Sequence, residues 1–421
     1  MRTAVMNVVG IVSEYNPFHT GHLYHVEQSR RIVGNGQPCA VVAVMSGNYV
    51  QRGDIAVFPK HIRAEAACMS PGGPDLVIDL PTPFACSSAE RFANSAVYLL
   101  NSTGVVTHIS FGSETGDLDI LRRLAECIES PRFGELLKEE LSGGTLYPLA
   151  RQRAASRIVG AESDAMSTPN NILGIEYLRA LKKIGSDIRP ITMKRLKTGH
   201  DSDYADEDIA SASYIRGMFF SGRAYSAMRY IPEGAIEVFI REMAKGSGPS
   251  NVGMIDQAIL SQIRRLKPED FEKISDVSDG LQYRIYNAVR KATTFSQAAD
   301  MIKSKAYTHS RIRRILMHAY IGITSRWETV MPPYIKVLAF NETGRSLLRR
   351  MKTMSRLPII TKPADSEKVL QASGDELSGR TASELLELES VATDLYMLAC
   401  PSVRMRFAGQ ELTTSPVYVG S

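Results

Sequence analysis

The sequence is poor in everything that would mark a disulfide scaffold, a zinc module or a membrane span. Its five cysteines, Cys39, Cys68, Cys86, Cys127 and Cys400, are scattered, odd in number and never spaced C-x-x-C. Neither a disulfide framework nor a structural zinc site is indicated. Reduced, mostly buried thiols in a cytoplasmic protein are the expectation that this usage leaves. No apolar run approaches the ~20 residues that a spanning helix needs, so a soluble chain is expected. A secretion signal's basic–apolar–small order is missing, because Met1 to Val12 runs straight into what reads as a core strand. No internal repeat or low-complexity stretch is visible. The single tryptophan, Trp327, suggests no role of its own.

What is present is ordinary in amount and uneven in arrangement. The 421 residues favour two domains or three, and 44% hydrophobic with 23% charged residues is a globular balance. The first two hundred residues alternate strand and helix. Val5 to Val12, Ala40 to Met45, Asp75 to Leu80, Thr107 to Phe111 and Ile188 to Met193 read as buried strands. Gly21 to Val33, Pro59 to Met69, Ser87 to Asn101 and Leu118 to Ile128 read as the helices between them. That alternation predicts an α/β, Rossmann-like parallel sheet, with ligands beyond the carboxyl ends of its strands.

The later chain reads as mostly helical, in Asn170 to Lys183, Asp206 to Phe220, Met254 to Arg265, Gly280 to Ala292, Ser310 to Ile323, Gly344 to Met354 and Ala382 to Cys400. Short strands are expected at Tyr334 to Phe340 and Pro358 to Thr361. The helical pattern breaks between Ser221 and Glu233, so a catalytic domain over 1–225 and a mainly helical, basic domain over 226–421 are expected.

The strongest chemical signal runs from Gly10 to His22, GIVSEYNPFHTGH. A strand ends near Val12, a loop follows, and a helix begins near Gly21. His19 and His22, three residues apart at a helix start, point in similar directions. There the dipole and free N–H groups already favour phosphate. Both imidazoles can donate to phosphate oxygens, and Gly21 lets a ligand approach the backbone. Helix capping or simple burial of the two histidines is the plainer alternative.

His-x-Gly-His after the first strand resembles the class I nucleotidyltransferase superfamily. Ile209 to Arg216, IASASYIR, is similar to that superfamily's second motif, with Ala212-Ser213 where Ser-Thr is usual. Ser211, Ser213 and Arg216 at a helix start suit a clamp on the β- and γ-phosphates. Four longer strings begin at Gly10, Met45 (MSGNYVQRGD), Phe111 (FGSE) and Pro169 (PNNILGIEY), and with SRIRR at Ser310 they resemble the bacterial tRNA(Met) cytidine acetate ligase family over nearly the whole chain.

The resemblance implies activation of acetate by ATP and acetylation of N4 of the wobble cytidine of elongator tRNA(Met). It implies ATP contacts from Ile11, Val12, Ser13, Glu14, Tyr15, Asn16, Pro17, Phe18, His19, Thr20, Gly21, His22, Leu23 and Tyr24. Gly112, Asn170 or Asn171, and Arg195-Leu196 complete that set, with Leu196 where isoleucine is usual. Catalysis falls to His19, His22 and Arg216. Mg²⁺ is expected to arrive on the phosphates, without a ligand motif of the protein's own.

Other residues are read from their positions. Either asparagine can cap the helix or contact a nucleotide. Gly112 ends a strand, which suits either close ligand approach or a tight turn. Arg52, in the loop after the second strand, suits a phosphate or the acetate carboxylate, or is a surface arginine. Lys60 and Arg63 open a helix, where the dipole disfavours a cation unless an anion is near.

From Lys303 to Arg356 twelve bases face only Glu328 and Glu342. Within that stretch Arg311, Arg313, Arg314, Arg349, Arg350 and Lys352 are candidate contacts to tRNA phosphates, a solvated basic face being the alternative. Two other functions fit parts of the pattern. A metabolite adenylyltransferase would share the ATP site without an RNA substrate, and a non-catalytic nucleotide- or RNA-binding protein would only keep the fold.

Overall fold

The computed structural model describes residues 6–195, 209–278, 280–304, 307–367 and 376–420. Among them the backbone is organised around an eight-stranded sheet. Its strands are β1 (Asn7–Ser13), β2 (Cys39–Ser46), β5 (Leu76–Leu80), β6 (His108–Ser113), β7 (Arg189–Lys194), β8 (Ile335–Phe340), β9 (Ile359–Ile360) and β10 (Val417–Tyr418). A small hairpin, β3 (Tyr49–Val50) and β4 (Asp54–Ile55), lies apart from it. The order is β10-β8-β5-β2-β1-β6-β7, with β9 beside β8. Strands β5, β2, β1, β6 and β7 are parallel, so the expected α/β sheet is present. The chain moves outward from β1 in both directions, which makes the β1–β6 edge the switch point where such sheets bind ligands.

Valine-rich β2 is buried along nearly its whole length, as a central strand covered on both faces must be. One face packs Val8, Val42, Val44, Leu76 and Ile78 against the helices Ala89–Ser102 and Glu342–Met354. The other packs Ala43, Met45 and Val77 against Lys60–Met69 and Glu233–Lys245.

The division expected at 225/226 does not separate two sheets. Strand β8 runs antiparallel to β5, with Val77 opposite Ala339, and β10 closes the edge beside β8. Glu376–Met397 also packs back onto the N-terminal half, because Tyr396 Oη donates to Ala56 O at 2.9 Å and Tyr49 Oη to Ala392 O at 2.9 Å. No helix among the described residues is long and apolar enough to cross a membrane.

Candidate active site

The loop after β1 is held from several sides. Asn16 Oδ1 accepts from Val57 N at 2.8 Å, and Asn16 O accepts from Arg216 Nη1 at 2.6 Å. Glu14 Oε1 accepts from Gln51 N at 3.0 Å. Tyr15 (φ 43°) and Phe18 are buried and meet edge to face, with centroids 4.9 Å apart. Both rings lie against His22, at 5.1 and 5.9 Å. These contacts fix the start of the helix Thr20–Gly34, where His19 is the N-cap.

His19 Nδ1 accepts from Gly21 N at 3.1 Å, so the proton of a neutral His19 ring sits on Nε2, ready to donate elsewhere. The His19 and His22 ring centroids are 3.8 Å apart. A Cβ on Gly21 would meet the His19 ring at 3.0 Å and Ile209 at 3.5 Å, so the second motif lies directly beside the first.

Cations crowd this turn. Ser211 caps the helix Ala212–Phe220 by accepting from Tyr214 N at 3.1 Å, and its hydroxyl lies 3.2 Å from that of Ser213. Arg216, one turn on, reaches back to the loop after β1. From the far side Arg195 lies over Gly112, where a Cβ would meet its Cγ at 3.1 Å.

Burial, then Arg195 and Arg216, push His19 down to about 3. Burial, then His19 and Arg195, put His22 well below its ordinary value. Burial also depresses Arg195 and Arg216 themselves. The group is positive and partly enclosed, with Glu14, Asp54 and Glu114 the carboxylates that act on its arginines. His22 Nδ1 is buried without a hydrogen-bond partner. Such a group is completed by an anion.

The two asparagines separate. Asn171 is 1% exposed, and its Oδ1 accepts from Glu114 N (3.0 Å) and Thr115 N (3.2 Å) while its Nδ2 donates to Thr168 Oγ1 (2.7 Å). It is spent on the fold. Asn170 is less enclosed; its Nδ2 donates to Glu114 Oε1 at 2.6 Å and its Oδ1 accepts from Arg195 Nη1 at 3.5 Å.

Glu114 and His25 are site residues that the sequence reading did not assign. Glu114 accepts from Asn170 N and Asn171 N at 3.2 and 2.8 Å, capping the helix Pro169–Lys183. Burial raises its pKa, but the bonds from Asn170 and Asn171 outweigh that and leave it lowered. His25 lies one turn beyond His22, its Nε2 3.0 Å from Ser110 Oγ, and burial pushes it down to about 4. The spacing His22-x-x-His25 was the available signal for it.

Several expected contacts lie elsewhere. Arg63 is fully buried: Nε donates to Phe58 O at 2.9 Å, Nη2 to Ser46 O at 3.0 Å, and the remaining donors meet Glu14 O and Gly47 O. Lys60 Nζ is equally enclosed, 2.6 Å from Asp79, 2.8 Å from Glu411 and 3.5 Å from Glu389. Neither lines the crevice, because internal acceptors have taken their donors. Arg52 does stand exposed on the β3–β4 turn, close enough to help depress Arg216.

Arg313 pairs with Asp54 at 2.7 Å, Arg314 with Asp276 at 3.7 Å, and Arg311 Nη2 donates to Asp276 O at 2.6 Å, all on the mostly buried helix His309–Ile321. Arg349 and Lys352 are exposed and Arg350 less so. Leu196 lies outside the described residues.

Residues 6–411 match the family described as HIGH Nucleotidyl Transferase. A relative from Acetivibrio thermocellus, named tRNA(Met) cytidine acetate ligase, is 38% identical over 97% of this chain and 99% of its own. One of the same name from Caldanaerobacter subterraneus is 40% identical over 94% and 96%. The chain belongs to the tRNA(Met) cytidine acetate ligase family. Its backbone is similar to crystal structures of Thermotoga maritima TmcAL. The form bound with alpha-thio ATP is 34% identical with a TM-score of 0.92, and the match covers 99% of this chain and all of that one. The apo form has a TM-score of 0.93 over the same shares.

Proposed function

We propose that this chain activates acetate with ATP and transfers the acetyl group to N4 of the wobble cytidine of elongator tRNA(Met), giving N4-acetylcytidine. The observation that carries the ATP step is the gathering of His19, His22 and Arg216 at two helix starts, with Arg195 beside them after β7, on the switch-point edge of the sheet. Preorganised donors of this kind favour a polyphosphate and the charge that grows on it.

In the first step an acetate oxygen attacks the α-phosphorus in line, and pyrophosphate leaves with the electrons of the broken P–O bond. Nε2–H of His19 and the His22 ring donate to the α-phosphate as its charge grows. Ser211, Ser213 and Arg216 hold the departing phosphates, and Asn170, Arg195 and bare Gly112 suit the nucleoside. Arg52 is placed to meet an incoming anion. The donors here are mainly nitrogens, which suit phosphate oxygens better than a metal, so Mg²⁺ would be held through the phosphates and would add neutralising charge. In the second step the cytidine amine attacks the acetyl carbonyl, AMP leaves, and the amine gives up a proton. The base must be unpaired, which an anticodon loop provides.

The test is incubation with ATP, labelled acetate and total bacterial tRNA, followed by nucleoside analysis. Label in N4-acetylcytidine from elongator tRNA(Met) is expected. Label confined to small molecules would make the chain a metabolite adenylyltransferase instead.

A further inference from the structure

Resting on that reading, we propose that an exposed basic stripe, Arg345, Arg349, Lys352 and Arg356, binds phosphates of the tRNA body outside the anticodon stem–loop. The first three share one face of the helix Glu342–Met354, at spacings of four and three residues, and Arg356 follows just past its end. All four are exposed, while Leu347, Leu348 and Met351 turn inward.

Several exposed arginines elsewhere are paired: Arg122 with Asp119, Arg123 with Glu162, Arg132 with Glu135 and Arg157 with Glu139. Among the described residues only Arg345 of the stripe makes an ion pair, with Glu342 at 3.5 Å, and Arg349 acts on the same carboxylate from farther off. Like charges one turn apart on a helix repel, so an unpaired row weakens the helix unless an external anion meets it.

The stripe's place in the fold says which anion. The helix begins at the amino end of the parallel strands, where Asn341 N donates to Asp75 O at 3.0 Å and Gly344 packs on the same carbonyl. It finishes at that end too, with Met354 against Gly104 and Arg356 N donating to Ser102 O at 2.9 Å. The catalytic turn lies at the carboxyl ends, roughly 20 Å away along a strand of β2's length. An RNA whose base enters that turn reaches the stripe only where it runs back along the protein. Cations at the other end meet the portions of a longer RNA that lie along the protein. Guanidinium and ammonium groups read backbone charge rather than base identity, and the exposed aromatic beside the stripe, Tyr418, has its hydroxyl engaged by Glu342 at 2.9 Å.

The test compares full-length elongator tRNA(Met) with its isolated anticodon stem–loop, using the intact protein and the double variant Arg349→Glu/Lys352→Glu. The wild-type chain should bind the full-length RNA more tightly. The variant should lose roughly tenfold in that affinity, and its salt slope should fall by about two, one per lost phosphate contact. Stem–loop binding and acetate-dependent pyrophosphate exchange should not change. Arg349→Gln/Lys352→Gln should show the same pattern more weakly, which guards against misfolding of the reversed-charge form. Unchanged full-length affinity and slope in both variants would overturn the proposal, and so would equal losses on both RNAs. Failure of the wild-type chain to acetylate either RNA would instead remove the proposed function.

Discussion

Two charged groups, one fully buried and one partly open, sit near the carboxyl end of the same sheet, and they differ in where the counter-charge comes from. Around Lys60 and Lys336 the protein supplies its own anions: Asp79, Glu389 and Glu411. Thr393 donates to Glu411 at 2.6 Å, and Thr82 N donates to Glu389 at 2.6 Å. Burial pushes Glu389 up to about 7, whereas Lys336 and Lys60 overcome burial and hold Glu411 well below the carboxylate range. The carboxylates lie close enough to hold a metal ion, but ammonium groups already do that work. Around His19 and His22 the described residues gather Arg195 and Arg216, and the carboxylates that act on those arginines, Glu14, Asp54 and Glu114, are engaged by Gln51 N, by Arg313 and by Asn170 N and Asn171 N. A closed group of this kind holds a fold together; an open one awaits a ligand.

Removing a partner should therefore act differently at the two places. Lys60→Met leaves three buried carboxylates facing Lys336 alone, and should cost about 3–5 kcal/mol of stability, read by chemical denaturation. A loss below 1 kcal/mol would mean that the cluster is wetter than its burial indicates. His22→Ala should do the reverse, lowering adenylate formation by about two to three orders of magnitude while the chain still folds cooperatively. An inactive His22 variant that is also unfolded would erase the contrast.

The asparagine pair sharpens the comparison within one turn of helix. Asn171→Ala strands two backbone donors, Glu114 N and Thr115 N, and should cost about 1–3 kcal/mol. Asn170→Ala should leave stability nearly intact and raise the KM for ATP. The opposite assignment of the two effects would show that Asn171 faces the nucleotide.

The smallest effect expected is in pH. His19 is held at about 3 and His25 at about 4, against roughly 6.5 in an unfolded chain. Below pH 6.5 the unfolded chain takes up more protons than the folded one. The stability that these rings contribute is thus whole above pH 6.5 and lost as pH falls toward 4 and 3. Bound triphosphate would raise their pKa values, so ATP should increase Tm by more at pH 5.5 than at pH 7.5. An ATP-induced rise that shrinks on acidification would contradict neutral histidines at the site.

How far the sequence could be read follows the same division. The turn from Gly10 to His22 was legible because its chemistry is local: strand end, loop, helix start and two histidines within one segment. Lys60 and Arg63 were misread for a physical reason. The anions that meet Lys60 are Asp79 on the next strand and Glu389 and Glu411, more than three hundred residues away, whereas Arg63 spends its donors on backbone carbonyls, which no side-chain pattern announces. Asn170 and Asn171 could not be told apart because both fit a helix start and both bond Glu114; only the burial of Asn171 against Thr115 and Thr168, and the reach of Asn170 to Arg195, separate them. Strand β8 was recognisable as a strand, yet its antiparallel place beside β5 is a tertiary fact, as is the position of the helix Glu342–Met354 at the far end of the sheet.

The central claim is that the open cationic group works on ATP with a carboxylic acid as partner. Exchange of labelled pyrophosphate into ATP tests it most directly, with and without acetate, in the intact chain and in His22→Ala. Exchange should require acetate in the intact chain and fall by about a hundredfold or more in the variant. Exchange that proceeds equally without acetate, or survives unchanged in His22→Ala, would contradict it.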